Sequence, residues 1–128
     1  MFEGSFLIIS KGRLKLLTSN LEYDTAVSQA HDAIAKIMTG NELSSPHIAA
    51  ENVINSAKGG IFKGKFIHSL GHSVGIEVHD GGSLSPNSKG EMEENMVFTA
   101  EPGIYIKGFG GVRIEDDILI TPKGGVKL

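Results

Sequence analysis

Near Gly59 and Gly60 the hydrophobic rhythm of the chain changes from helical to extended, which limits the fold to helices gathered ahead of a mainly antiparallel sheet. Upstream, Ala26, Val27, Ala30, Ala33, Ile34, Ile37 and Met38 recur at helical spacing behind a capping-box signal, Ser19 with Glu22, and Gly40 ends the run. A second helix is predicted behind Ser45 as N-cap and Pro46 as the first helical residue, with Ile48, Val53 and Ile54 on its buried side. From Phe62 onward, glycine and β-branched residues dominate. Turn signals fall at Asp80 to Gly90 and Thr121 to Gly125, the punctuation of strands. Ahead of the helices, SFLIIS and RLKLLTS flank Lys11 and Gly12 as a hairpin would. The class is α+β: an antiparallel sheet with two packing helices and an N-terminal hairpin.

Within the strand half, GGVRIEDDILI alternates as one strand. Val112, Ile114, Ile118 and Ile120 share one face, Arg113, Glu115 and Asp117 the other, and Asp116 is an acid on the apolar face. Pro102 biases Glu101 toward extended backbone and Gly103 lets the chain turn, so Glu101 is presented at the end of the MVFTA strand. If Glu101 and Glu115 converge to about 4 Å, their repulsion is roughly 4 kcal/mol at an effective dielectric near 20, which calls for a proton or a cation between them. Two cations are candidates: a metal ion, for which His72 would complete a His-Glu-Glu set suited to a hydrolytic divalent ion, or the guanidinium of Arg113.

Composition narrows the function classes. A chain of 128 residues with a formal net charge of -3 offers no basic surface for nucleic acid. Zero cysteines exclude disulfides, thiolate metal sites and a cysteine nucleophile, and are compatible with a cytoplasmic setting. The apolar run Phe6 to Ile9 is too short for a signal segment or a membrane span. Gly71 to Gly75, GHSVG, fits the spacing of a serine-hydrolase nucleophile elbow. Its context does not: IEVHDGG reads as strand and turn rather than helix, and no histidine follows His79. His31 and His47 have no motif around them and read as helix-surface or packing residues, while Glu77, Glu91, Glu93 and Glu94 read as solvated positions.

Four segments, FIHSLGHSVGIEVHD, LSPNS, MVFTAEPGIYI and GGVRIEDDILIT, together resemble the pita-bread metallopeptidases, in the proline-peptidase branch of Xaa-Pro dipeptidase (prolidase) and aminopeptidase P. The resemblance runs from about Ala30 to Leu128. It implies half of a pita-bread catalytic domain, with His72, Glu101 and Glu115 as metal ligands and Glu115 in the position that bridges two metals. It implies that His79 and Glu115 are catalytic and that His68 and Arg113 bind substrate, a proline-containing dipeptide or peptide. The cofactor would be Mn, Co, Zn or Fe.

The same resemblance exposes a departure, because the family pattern includes two further aspartate ligands from a strand pair that has no counterpart here. Residues 1–28 instead resemble a hairpin and helix start of the family's amino-terminal domain, and residues 29–128 its second catalytic half, together read as a single domain. Asp24 and Asp32 lie more than two helical turns apart and cannot grip one ion, and Asp80, Asp116 and Asp117 match flanking positions. The expectation is at most one metal per chain. Two readings stay open: an impaired peptidase, and an inactive peptidase-like module that works through self-association, most simply as a homodimer, or through partner binding.

Overall fold

The computed structural model describes residues 6–10, 13–17, 21–34 and 38–128. Strands β1 (Phe6–Ser10) and β2 (Arg13–Leu17) of the expected hairpin pair antiparallel with Ser10 opposite Arg13; Lys11 and Gly12 lie outside the described residues. Helix α1 covers Leu21–Ile34 and buries Ala26, Val27, Ala30 and Ile34. Ser19 and Ile37, two of the positions expected to define this helix, also lie outside the described residues. Met38 is beyond the helix and 45% exposed, which corrects its assignment to the apolar stripe.

Helix α2 runs Ser45–Ser56 with Ser44, not Ser45, at its N-cap. Ser45 is the first helical residue, and its hydroxyl donates to the Glu42 carbonyl at 2.7 Å. Pro46 sits in the first turn as expected. The buried stripe is Pro46, His47, Ala50 and Ile54, whereas Ile48 is 45% exposed: it lies off that stripe at 100° per residue. The helix stops at Ala57, and a short 3₁₀ turn over Ala57–Gly60 follows with Lys58, Gly59 and Gly60 all at positive φ. Two glycines in succession make that left-handed exit inexpensive, and here the rhythm changes as expected.

All the remaining strand pairs are antiparallel. Strands β3 (Gly71–His72) and β4 (Ser83–Leu84) pair with each other, as do β6 (Gly103–Ile106) and β7 (Gly110–Arg113). Strands β5 (Val97–Ala100), β8 (Asp116–Thr121) and β9 (Gly124–Lys127) form a sheet in the order β5-β8-β9. The expected single strand from Gly110 to Ile120 is therefore two, divided at Ile114 and Glu115, because β7 pairs with β6 whereas β8 turns to pair with β5. The in-and-out alternation survives the break: Val112, Ile118 and Ile120 are buried, and Arg113, Glu115 and Asp117 are exposed. Asp116, the acid on the apolar face, pairs with Lys127 Nζ at 2.7 Å, and its other carboxylate oxygen lies 3.2 Å from His31 Nε2.

One hydrophobic core joins the helices to the strands. Phe62, Phe66, Leu70, Leu84, Met92, Phe98 and Ile104 pack with the buried faces of α1 and α2. His47 is part of it, 5% exposed and stacked on Phe66 at 5.1 Å between ring centroids. Burial lowers its pKa below the ordinary value; Glu51 works against this and His68 adds to it. No helix among the described residues is long and apolar enough to cross a membrane.

Candidate metal centre and substrate cleft

The site is assembled where β3 runs beside β5. Glu101 N–H donates to the Leu70 carbonyl at 2.7 Å, and His72 N–H donates to Thr99 Oγ1 at 3.0 Å, so the β3 backbone is fixed against the end of β5. Glu101 follows β5 immediately, and the buried Pro102 leads into β6, which holds the carboxylate at the strand end as expected. The Thr99 hydroxyl in turn donates to Glu101 Oε1 at 2.8 Å. One buried hydroxyl thus orients the His72 backbone and the Glu101 carboxylate together. Thr99 was not singled out in the sequence. Its only signal there is that a polar residue occupies a buried position in an otherwise apolar strand.

His72 Nδ1 lies 3.1 Å from the Ser73 carbonyl oxygen, which can only accept, so Nδ1 carries the hydrogen. The other ring nitrogen, Nε2, faces Glu101 Oε1 at 3.5 Å. In the neutral ring this sets a nitrogen lone pair against a carboxylate, an arrangement that a proton or a metal cation between them would satisfy. A histidine that donates one N–H to a backbone carbonyl and offers its second nitrogen beside a carboxylate is arranged as metal-ligating histidines are. The donor chemistry therefore fits a divalent ion at these two residues.

Glu115 stands on the other side of Arg113. The guanidinium places Nη2 at 3.0 Å from Glu115 Oε2 and Nη1 at 3.7 Å from Glu101 Oε2, so Arg113 supplies the cation that two converging carboxylates need. Among the described residues, no group of three His, Asp or Glu side chains is gathered closely enough to hold a metal. His72 and Glu101 are brought together, and Glu115 is linked to them through arginine.

An open cleft of about 470 Å³ lies over this centre, lined by His68, Ser69, Gly71, His72, His79, Gly81, Gly82, Ser83 and Glu101. His79 is exposed at its rim and tilts over His72, the ring centroids 4.0 Å apart. His68 is held by two bonds. Nδ1 donates to the Ser69 carbonyl at 2.7 Å, which leaves Nε2 of the neutral ring to accept from the Tyr105 hydroxyl at 3.0 Å. Tyr105 is thus a second residue that the sequence did not mark, although it lies within the EPGIYI motif. Ser73, rejected as a nucleophile from its context, has its hydroxyl committed to the Gly82 N–H at 2.8 Å.

A strand-end carboxylate, an imidazole with one nitrogen open and a cleft rimmed by two further histidines are thus gathered on antiparallel strands. A sequence profile of metallopeptidase family M24 matches residues 19–122, and the chain belongs to this family. An Xaa-Pro dipeptidase of Pyrococcus furiosus is 45% identical over 103 residues, which are 80% of this chain and 28% of that protein. An uncharacterised peptidase of Staphylococcus saprophyticus is 41% identical over 83% of this chain and 29% of its own length. Among solved structures, a prolidase from Pyrococcus furiosus superposes with a TM-score of 0.77 at 36% identity, over 90% of this chain and 35% of that one. The two helices and antiparallel sheets match a part of the prolidase fold, and the chain spans less than a third of the length of the curated relatives it matches.

Proposed function

We propose that this chain carries a prolidase-like, metal-dependent peptidase site acting on Xaa-Pro dipeptides or on the N-terminal Xaa-Pro bond of peptides. One observation carries the reading most directly: His72, its Nδ1 committed to the Ser73 carbonyl, turns Nε2 toward Glu101 at 3.5 Å. Similarity to Xaa-Pro dipeptidases supports the substrate class. His72, Glu101 and Glu115 would hold one divalent ion, Mn, Co, Zn or Fe. When bound, such an ion polarises a carbonyl and eases deprotonation of water.

The chain's own residues do the rest. Glu115 takes the proton of the attacking water on a carboxylate oxygen and returns it to the departing proline nitrogen as the C–N bond breaks. His79, at the rim beside His72, donates to the oxygen on which negative charge develops. His68, fixed by Ser69 and Tyr105, and Arg113 position the peptide. The absence of cysteine agrees with a cytoplasmic protein. Titration calorimetry of metal-stripped protein with Mn, Co and Zn, followed by assay on Xaa-Pro dipeptides, tests the reading. One ion per chain is expected for at least one of the three metals; no saturable binding of any of them sinks the proposal.

A second reading, self-association as a homodimer, is favoured by the apolar side chains left in solvent beside the cleft. Ile67 is 70% exposed, Val78 is 72% exposed, and Ile76 is fully exposed. Light scattering after size exclusion is expected to give twice the chain mass of 13.6 kDa. A monomer at every concentration tested would remove this reading and leave the metal site untouched.

A further inference from the structure

We propose that Arg113 is a built-in counter-cation for the metal-free site, one that holds Glu101 and Glu115 together and competes with the incoming ion for them. The inference rests on the metal reading above and adds to it a residue that sets affinity. Four observations carry it. The two guanidinium nitrogens reach different carboxylates, at 3.0 Å and 3.7 Å, rather than forking onto one. Glu101 divides its oxygens accordingly. Oε1 faces inward to Thr99 and His72, and Oε2 faces outward to Arg113. The planar guanidinium presents its donors in a fixed fork, so one side chain can meet two carboxylates at once. The arrangement is also built into the strands: Arg113 ends β7 directly opposite Gly103, two residues beyond Glu101, and Glu115 lies two residues along on the same face.

Exposure decides how such a bridge behaves. The Arg113 side chain is 49% exposed and that of Glu115 41% exposed, against 13% for Glu101. Ion pairs this open to water are weak and screened by salt, so the bridge can order the carboxylates and still give way to a divalent ion. A deeply buried pair of the same geometry would resist displacement and shut the site. The guanidinium therefore keeps the ligands near one another without metal and lowers the apparent affinity for it.

The test is Arg113→Gln, which keeps a polar side chain of similar reach and removes the charge. Metal-stripped wild type and variant are titrated with Mn by calorimetry, and both are melted with and without the ion. The variant is expected to bind Mn about threefold to tenfold tighter. Its metal-free form should melt lower and show the larger rise on metal addition. Arg113→Lys, a point charge that cannot span both carboxylates, should fall between the two, and serves if Arg113→Gln does not fold. Binding that is unchanged or weaker in the variants overturns the counter-cation role while the metal site stands. If neither wild type nor variant binds Mn, Co or Zn, the metal site and the counter-cation role fail together.

Discussion

Gly71→Ala is expected to destabilise the protein by about 3 kcal/mol or more, a drop in melting temperature on the order of 10 °C for a chain of this size. A Cβ at this position would be driven into the Thr99 carbonyl oxygen, and it would lie 2.6 Å from the Thr99 carbonyl carbon and 2.8 Å from Oγ1. Neither backbone atom has room to yield. Thr99 is 5% exposed and sits in β5 opposite Asp117 of β8, while Gly71 itself pairs with Leu84. The strands would have to part, and His72 would leave the Thr99 hydroxyl that fixes it. Gly81→Ala is the control, since nothing lies within 4 Å of a Cβ there and only its φ of +88° opposes the change. That strain costs about 1 kcal/mol. Thermal and urea unfolding of both variants checks the contrast; equal melting temperatures would show that β3 and β5 are not packed as described.

The contrast between these two glycines also shows what a sequence can reveal. Both stand in runs that announce turns and strands, and nothing local distinguishes a glycine needed for its φ from one needed for the approach of a backbone 28 residues further on. Where information was local, it was legible. The change of rhythm at Gly59, the pairing of the two apolar runs near the start, and the alternation from Val112 to Ile120 all appear in the structure. Helix faces were less legible: Ile48 is apolar yet sits off the buried stripe, and of the two readings open for His47, surface or packing, the structure has packing, stacked on Phe66.

At the site the same division holds. His72, Glu101 and Arg113 stand in motifs and come together in space, but the hydroxyl that aligns them and the tyrosine that holds His68 act across the fold. Thr99 works only because β3 happens to lie beside β5, a long-range pairing that no spacing rule encodes. The two cations foreseen for the carboxylates, metal and Arg113, were likewise not separable by pattern. Distances place arginine on both carboxylates and leave the inward oxygen of Glu101 to His72.

Glu101→Ala should abolish metal uptake while leaving the chain folded. Among the described residues its carboxylate meets both His72 and Arg113, so its removal takes away the partner of the open imidazole nitrogen and leaves the guanidinium to Glu115. Alanine fits the strand end without adding volume, and the neighbouring Pro102 and Gly103 keep the backbone that leads into β6. Thr99→Val supplies the graded comparison. It keeps the shape of the side chain, but it strips the His72 N–H of its acceptor and Glu101 Oε1 of its donor, at 3.0 Å and 2.8 Å respectively. Loss of a group that orients a ligand typically weakens metal binding about 10- to 100-fold, so this variant should bind measurably and poorly. An unpaired buried N–H should also lower stability by about 1–3 kcal/mol. The order wild type, Thr99→Val, Glu101→Ala in calorimetric affinity for Mn is the expected result. Wild-type affinity in Glu101→Ala would exclude this carboxylate from the ligand set. Wild-type affinity in Thr99→Val alone would mean that Glu101 finds its position without the hydroxyl, through its backbone bond to Leu70 and the rigid Pro102 that follows.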